Sequence, residues 1–260
     1  MSGATDEAGQ MVTAPGLTPG ESPVHRAIAG ELAAIRARTG AAPRVLDVGG
    51  GSGAWAVPLA LAGSAVTVVD NSPNALAALQ RRAREAGVAS LVTPVQGDAD
   101  ALADAVPDAG ADLVLGHGLL EVVDDAAAAV AALRAATAPG GAVSVLVAGR
   151  FAAVLARTVG GRLAEARAVL TDPDGRYGPA DAVRRRLDGA SLRALLAADG
   201  ALTLELLQGD GVLEGWVPGA MRDGGPAVGR AMAELETLAA AEPAMLDVAV
   251  RLHALARRSS

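Results

Sequence analysis

The chain has 260 residues, a formal charge of −7 and 51% hydrophobic residues, enough to bury roughly 70–75% of the unfolded chain's surface. Aromatic residues make up only 2% and cysteine is absent, so the core must be built from Ala, Val and Leu, and disulfides and thiolate metal sites are excluded. The acidic balance argues against a globally basic nucleic-acid binder. With no apolar run near the ~18 residues of a membrane span and no signal-peptide pattern, a soluble, cytoplasmic protein is expected.

Residues 1–23 are rich in Gly, Pro, Ser and Thr without periodicity, and are expected to be a flexible segment. The spacing of Ile28, Leu32 and Ile35 predicts a helix from Val24 to Thr39, ended near Gly40. Next comes Arg-Val-Leu-Asp-Val-Gly-Gly-Gly-Ser-Gly-Ala, Arg44 to Ala54. Val45, Leu46 and Val48 read as a buried parallel strand, and Gly49, Gly50, Gly51 and Gly53 allow a sharp turn with close approach to a ligand. A helix is expected from Ala54 to Ala62, with Pro58 in or near its first turn. Strand, glycine loop and helix start together form a nucleotide-type binding corner.

Gly49-x-Gly51-x-x-Ala54 also satisfies the dinucleotide fingerprint, and Asp70 closes the next strand where a ribose-binding acid belongs. Both features suit NAD and S-adenosylmethionine (SAM) alike. Asp47 separates them, because a carboxylate in this corner repels a pyrophosphate but attracts the sulfonium and ammonium of SAM. The plainer reading of Asp47 is an acid that caps the helix or orders the loop.

Strands and helices then alternate: strands at 65–70, 91–96, 112–115 and 142–148, and helices at 73–86, from Ala101 and at 125–137. This is the pattern of a doubly wound α/β sheet. The second half is less regular. It reads as a helical stretch from Phe151 to Leu170 broken at Gly160-Gly161, a polar arginine-bearing cap to Leu187, and a helix from Ser191 as N-cap to Ala198. A strand at 202–207, a helix at 226–241 and a last strand at 247–256 complete it. Between Arg150 and Arg193 nine arginines face five acids, a local +4 that leaves −11 on the rest of the chain.

The series VLDVGGGSG, VTVVD and then Gln96-Gly97-Asp98-Ala99 resembles the class I SAM-dependent methyltransferases from Arg44 to Ala148. The resemblance implies a Rossmann-like, mostly parallel seven-stranded sheet with an antiparallel last strand and a C-terminal cap insertion at 149–190, within a methyltransferase domain at 24–260. It also implies that the glycine loop faces the methionyl part of SAM. Asp70, with Asn71 beside it, would take the ribose, and Asp98 with the Ala99 backbone would take the adenine edge. On its own, Asp98 reads as a helix-start acid. After the fourth strand, Gly116-His117-Gly118 puts a histidine at a strand end, beside the cofactor's sulfur or as a buried structural group. As a catalytic residue it would serve as the base for a phenol or alcohol acceptor. Glu121 reads as a helix-start acid or a pocket acid. No metal-ligand spacing is present.

HGLLEVVDD, the Glu234-Leu235-Glu236 helix with Glu242-Pro243 and the His253-bearing last strand are similar to the bacterial tRNA 5-carboxymethoxyuridine methyltransferases. That narrower resemblance implies a methyl ester formed on a wobble uridine, with tRNA as partner, and makes Arg26 a cofactor contact beside His25. The family's tyrosine- and threonine-bearing N-terminal run and its lysine-rich stretch are missing here. Arg184-Arg185-Arg186 is the candidate substitute for phosphate contacts, against a solvated face. Trp216 offers a stacking surface or, by default, core packing. The alternatives are a small natural product as acceptor, an NAD-dependent oxidoreductase and a non-catalytic SAM-binding protein.

Overall fold

A computed structural model describes residues 22–107, 110–217 and 225–259, so most of the expected flexible segment 1–23 lies outside the described residues. Strands β1 (Arg44–Val48), β2 (Ala65–Asp70), β3 (Val92–Gln96), β4 (Ala111–His117), β5 (Thr137–Ala148), β6 (Leu202–Asp210) and β7 (Arg251–Arg258) form one seven-stranded sheet in the order β3-β2-β1-β4-β5-β7-β6. β7 runs antiparallel between β5 and β6, and the other pairings are parallel. The strand order reverses between β1 and β4, which opens a crevice at their carboxyl ends where such sheets bind ligands.

Helices α1 (Pro23–Thr39), α2 (Ala56–Leu61) and α3 (Pro73–Glu85) cover one face through Ile28, Leu32, Ile35, Leu59 and Leu79. On the other face lie α4 (Leu102–Ala105), α5 (Ala126–Ala136) and α8 (Gly189–Ala197), through Leu102, Leu133, Leu192 and Leu196. Both cores are aliphatic, as the aromatic-poor composition requires. Ser22 caps α1 by accepting from the His25 N–H at 3.3 Å, and Gly40 ends the helix in the left-handed conformation. Among the described residues no helix is long and apolar enough to cross a membrane.

Several boundaries differ from the sequence reading. β4 continues through Gly116 to His117, because its parallel partner β5 offers ladder positions that far. β5 begins at Thr137, since the chain pairs with Ala111 before the Pro139-Gly140-Gly141 irregularity. Asp188, not Ser191, caps α8, accepting from Ser191 N–H at 2.7 Å. The last strand starts at Arg251, because Pro243–Val248 winds into a 3₁₀ helix ahead of it.

The cap leaves the sheet at Gly149 and rejoins it at Leu187, where the two residues bridge in parallel. Arg150 N–H donates to Leu187 C=O and Leu187 N–H to Ala148 C=O, so the insertion is closed at its base. It contains α6 (Arg150–Val159), the expected Gly160-Gly161 break and α7 (Leu163–Thr171). The following loop is held by its own arginines. Arg186 makes a buried bidentate pair with Asp181, at 2.6 and 3.0 Å, with side chains 8% and 2% exposed. Burial alone would raise the Asp181 carboxyl, but the Arg186 hydrogen bonds and the Tyr177 and Val183 N–H groups bring it below its usual range. Arg185 donates to the carbonyls of Leu120, Val123 and Asp124, and Arg150 to those of Leu170, Asp172 and Pro173. Arg157 pairs with Glu165 and lies over the Tyr177 ring.

Removing one member of a buried pair strands the other charge, at about 3–5 kcal/mol. Arg186→Ala is therefore expected to lower stability in denaturant unfolding by about that amount, whereas Arg184→Ala, half-exposed, should shift it by under about 1 kcal/mol. Equal effects would contradict this reading of the arginine run.

Candidate active site

The glycine loop turns the chain from β1 into α2 directly over Asp47. Gly49 N–H donates to Val69 C=O at 2.8 Å, and Gly49, Gly51 and Gly53 take positive φ of 73°, 56° and 82°. Gly50 is required for a different reason. A Cβ there would stand 2.4 Å from Asp47 Oδ2, so any larger residue would collide with the carboxylate that the loop covers. Asp47 is buried, and its Oδ2 has no hydrogen-bond partner among the described residues. Its side chain therefore caps no helix, contrary to the plainer sequence reading. Burial, reinforced by the negative charge of Asp70, pushes its carboxyl up to about 7. A carboxylate stripped of water and partners is costly unless a cation or a proton satisfies it.

Asp70, at the end of β2, accepts from Gly51 N–H through Oδ2 and from Ser72 N–H through Oδ1, both at 2.9 Å. Each oxygen keeps a lone pair for a further donor. Beyond it opens a cavity of about 360 Å³, lined by Gly49, Asp70, Asn71, Asp98, Ala99 and Leu119 among others. Asp98 accepts from Asp100 N–H at the start of a 3₁₀ turn, as a helix-start acid does, and it also lines the cavity. Val122, Val123, Asp124 and Arg184 line the cavity from the cap side. Arg184 forms an ion pair with Asp124, while its backbone N–H donates to Glu121 C=O.

On the other side of the loop lies an array containing all three histidines of the chain. His25 stacks on Trp55 at 4.3 Å, and Trp55 meets His117 edge to face at 4.6 Å. His117 Nε2 lies 2.8 Å from Ser144 Oγ, which lies 2.9 Å from His253 Nε2. Burial first, then the charges of His253, Arg251 and His25, hold His117 well below the usual histidine range, and burial lowers His253 to about 4. Arg251 pairs with Asp210 through Nε and Nη2 at 2.9 and 2.6 Å.

Of the remaining candidates, Arg26 is exposed and donates to Thr237 Oγ1 at 2.7 Å; its neighbour His25 is the residue that reaches the loop. Glu121 starts no helix. Its Oε2 accepts from Ala148 N–H at 3.0 Å, and burial raises it despite that bond and the nearby Arg251 and Arg186. Trp216 sits half-buried in a 3₁₀ turn. The structure brings Asp47, the glycines, Asp70, Asn71, Asp98 and Ala99 together, with His117 behind Trp55. Sequence reasoning missed Trp55 and Arg251. Trp55 had a signal, one of two tryptophans standing directly after the glycine loop. Arg251 had none, since its place depends on how β7 inserts between β5 and β6.

Residues 45–141 match a family described as a methyltransferase domain. No curated protein matches the sequence. Among solved structures the fold is shared with magnesium protoporphyrin IX methyltransferase from Synechocystis PCC 6803 with bound SAH (16% identity, 97% of this chain and 90% of that one, TM-score 0.56). It is shared too with the plantazolicin methyltransferase BamL in complex with a desmethyl analogue and SAH (15% identity, 90% and 85%, TM-score 0.56). A third example is the [4+2]-cyclase SpnF (20% identity, 90% and 82%, TM-score 0.54). The domain match runs from β1 through the glycine loop to the start of β5, and together with this fold it supports a SAM-dependent methyltransferase.

Because Asp47 titrates near 7, a cation bound beside it is expected to displace its proton. SAM affinity should then fall as pH drops below about 7, toward about tenfold per unit. Calorimetry in buffers of different ionisation enthalpy should register proton release near pH 6, and Asp47→Asn should abolish it; binding without proton release in the wild type would place the cation elsewhere. Asp70→Ala is expected to weaken SAM by about 10- to 100-fold, the loss of a charged hydrogen-bond partner at about 1.5–3 kcal/mol. Unchanged affinity in the folded variant would place the ribose elsewhere.

Proposed function

We propose that this methyltransferase transfers a methyl group to oxygen on a small organic acceptor, held between the cap and the His25–Trp55–His117 array. Asp47 faces the cationic methionyl part of SAM beneath the loop of Gly49, Gly50, Gly51 and Gly53. Asp70 with Asn71 takes the ribose, and Asp98 with Ala99 takes the adenine edge. The unpartnered Asp47 carboxylate and the adjoining cavity fit that assignment. When bound, SAM supplies a methyl group on a positively charged sulfur, which an acceptor oxygen displaces in line. The protein's own contribution is largely positioning. Held neutral by burial, His117 is the group available to take a hydroxyl proton.

The observation that carries the choice of acceptor is the internal engagement of the arginines. Arg185 and Arg186, read in sequence as phosphate contacts, bind protein carbonyls and a buried carboxylate, and Arg184 pairs with Asp124 at the cavity. Arg185 and Arg186 are therefore engaged within the protein rather than displayed to a polyanion. The shared fold of enzymes named for plantazolicin and magnesium protoporphyrin IX is consistent with a small acceptor. The second reading is a carboxylate on a tRNA wobble uridine, supported by the likeness of HGLLEVVDD and of the His253 strand. A carboxylate is already ionised and needs no base.

Incubation with labelled SAM separates the two. A panel of hydroxylated and carboxylated small molecules, alongside tRNA bearing 5-carboxymethoxyuridine, is expected to yield a base-stable methyl ether on a hydroxylated acceptor. His117→Ala should lower that kcat by about 100-fold or more with SAM affinity nearly unchanged. A base-labile ester on the tRNA, insensitive to His117→Ala, would overturn the proposal in favour of the second reading.

A further inference from the structure

His117, Ser144, His253 and Gln208 form a single hydrogen-bonded row across four strands, β4, β5, β7 and β6. Leu146 pairs with both His117 and His253, and His253 pairs with Gln208, so the backbone ladder sets the row. The links are 2.8 Å from His117 Nε2 to Ser144 Oγ, 2.9 Å from Ser144 Oγ to His253 Nε2, and 3.0 Å from His253 Nδ1 to Gln208 Nε2. His117 Nδ1 is buried and has no partner among the described residues.

Elementary hydrogen-bond accounting makes this row directional. Burial keeps both imidazoles neutral near pH 7, so each ring has one N–H and one lone pair. Ser144 has a single hydroxyl proton, which it donates to one ring while accepting from the other. The two histidines must therefore be opposite tautomers: one is protonated at Nε2 and the other at Nδ1.

Which sense prevails follows from the ends. If His253 accepts from Gln208, His117 is left with a buried Nδ1–H that donates to nothing. If His253 donates from Nδ1 to the Gln208 carbonyl, His117 is left with only an unused lone pair. The second sense requires the Gln208 amide turned by 180°, so that Oε1 rather than Nε2 meets His253 Nδ1. The planar amide offers a donor on one side and an acceptor on the other, and Gln208 has no other side-chain hydrogen bond among the described residues that the turn would break. An orphaned buried N–H is the rarer and costlier defect than an under-used acceptor. We propose that Ser144, His253 and Gln208 are positioning residues that hold His117 as the Nε2–H tautomer and leave its Nδ1 lone pair open. This deepens the role given to His117 above and rests on that reading only for its catalytic consequence.

Gln208 is what breaks the symmetry of the row. Without it, either sense leaves one orphaned N–H and one orphaned lone pair, so the two become nearly equivalent. Long-range proton–nitrogen correlation spectra of protein labelled with ¹⁵N-histidine, near pH 7, read the tautomers directly, with His25→Asn assigning the third ring. The wild type should show His117 protonated at Nε2 and His253 at Nδ1. Gln208→Leu, at a half-buried edge position, should convert this to roughly equal populations. Ser144→Ala should uncouple the rings and Ser144→Thr restore the wild-type pattern. Finding both histidines in the same tautomer, or His117 as Nδ1–H in the wild type, would overturn the proposal. The expected spectra with an unchanged kcat in His117→Ala would uphold the tautomer lock and remove His117 from the proton transfer. The lock and the catalytic reading therefore fail separately.

Discussion

The structure depends on a carboxylate placed where the fold leaves it no protein partner. Asp47 sits at the carboxyl end of the central strand β1, beneath a loop whose Gly50 leaves no room for a Cβ above it. The sheet's order reversal opens a crevice there, and the helix start beyond the loop would ordinarily favour an anion. Asp47 inverts that preference. Placing a phosphate against it would add like-charge repulsion to a carboxyl already raised by burial, whereas a cation relieves both. In the proposed reading, this one side chain selects between two cofactor classes that the glycine pattern alone leaves open.

The cap shows a second constraint, that charge in sequence is not charge on a surface. An insertion that leaves and rejoins the sheet at one bridge needs internal ties, and in an aromatic-poor chain arginines supply them. Their planar, multi-donor head groups satisfy the carbonyls of loops that have no ladder. The same ties dock the loop before Leu187 onto the segment after β4, so the cap's position is coupled to the wall of the cavity beside Asp70.

Much of this was legible in the sequence because it is local. The apolar run Val45, Leu46 and Val48, the glycine cluster, the acid ending β2 and Asp98 before Ala99 each carry their own signal, and the alternation of periods gave the sheet. Legibility ended where meaning depends on strands far apart in the chain. Ser144 reads as an unremarkable polar residue in β5 until β4 and β7 bring His117 and His253 to either side of it. Trp55 was overlooked because the glycines beside it dominated the stretch. Arg184, Arg185 and Arg186 read alike in sequence, yet one is half-exposed, one is bound to carbonyls and one is buried against Asp181; only the loop's path distinguishes them. Arg26 was assigned by resemblance, and it lies against Thr237 of the helix at Pro226–Ala241, a partner 211 residues away that no local pattern could supply.

The central claim, that a buried carboxylate makes this crevice a site for a cofactor with a cationic methionyl end rather than for a dinucleotide, is tested most directly by titrating the protein with SAM and with NAD in parallel calorimetric experiments. The account requires saturable binding of SAM and none of NAD by the wild-type protein, with SAM binding weakened in Asp47→Asn. Saturable NAD binding by the wild-type protein with no heat from SAM would contradict it.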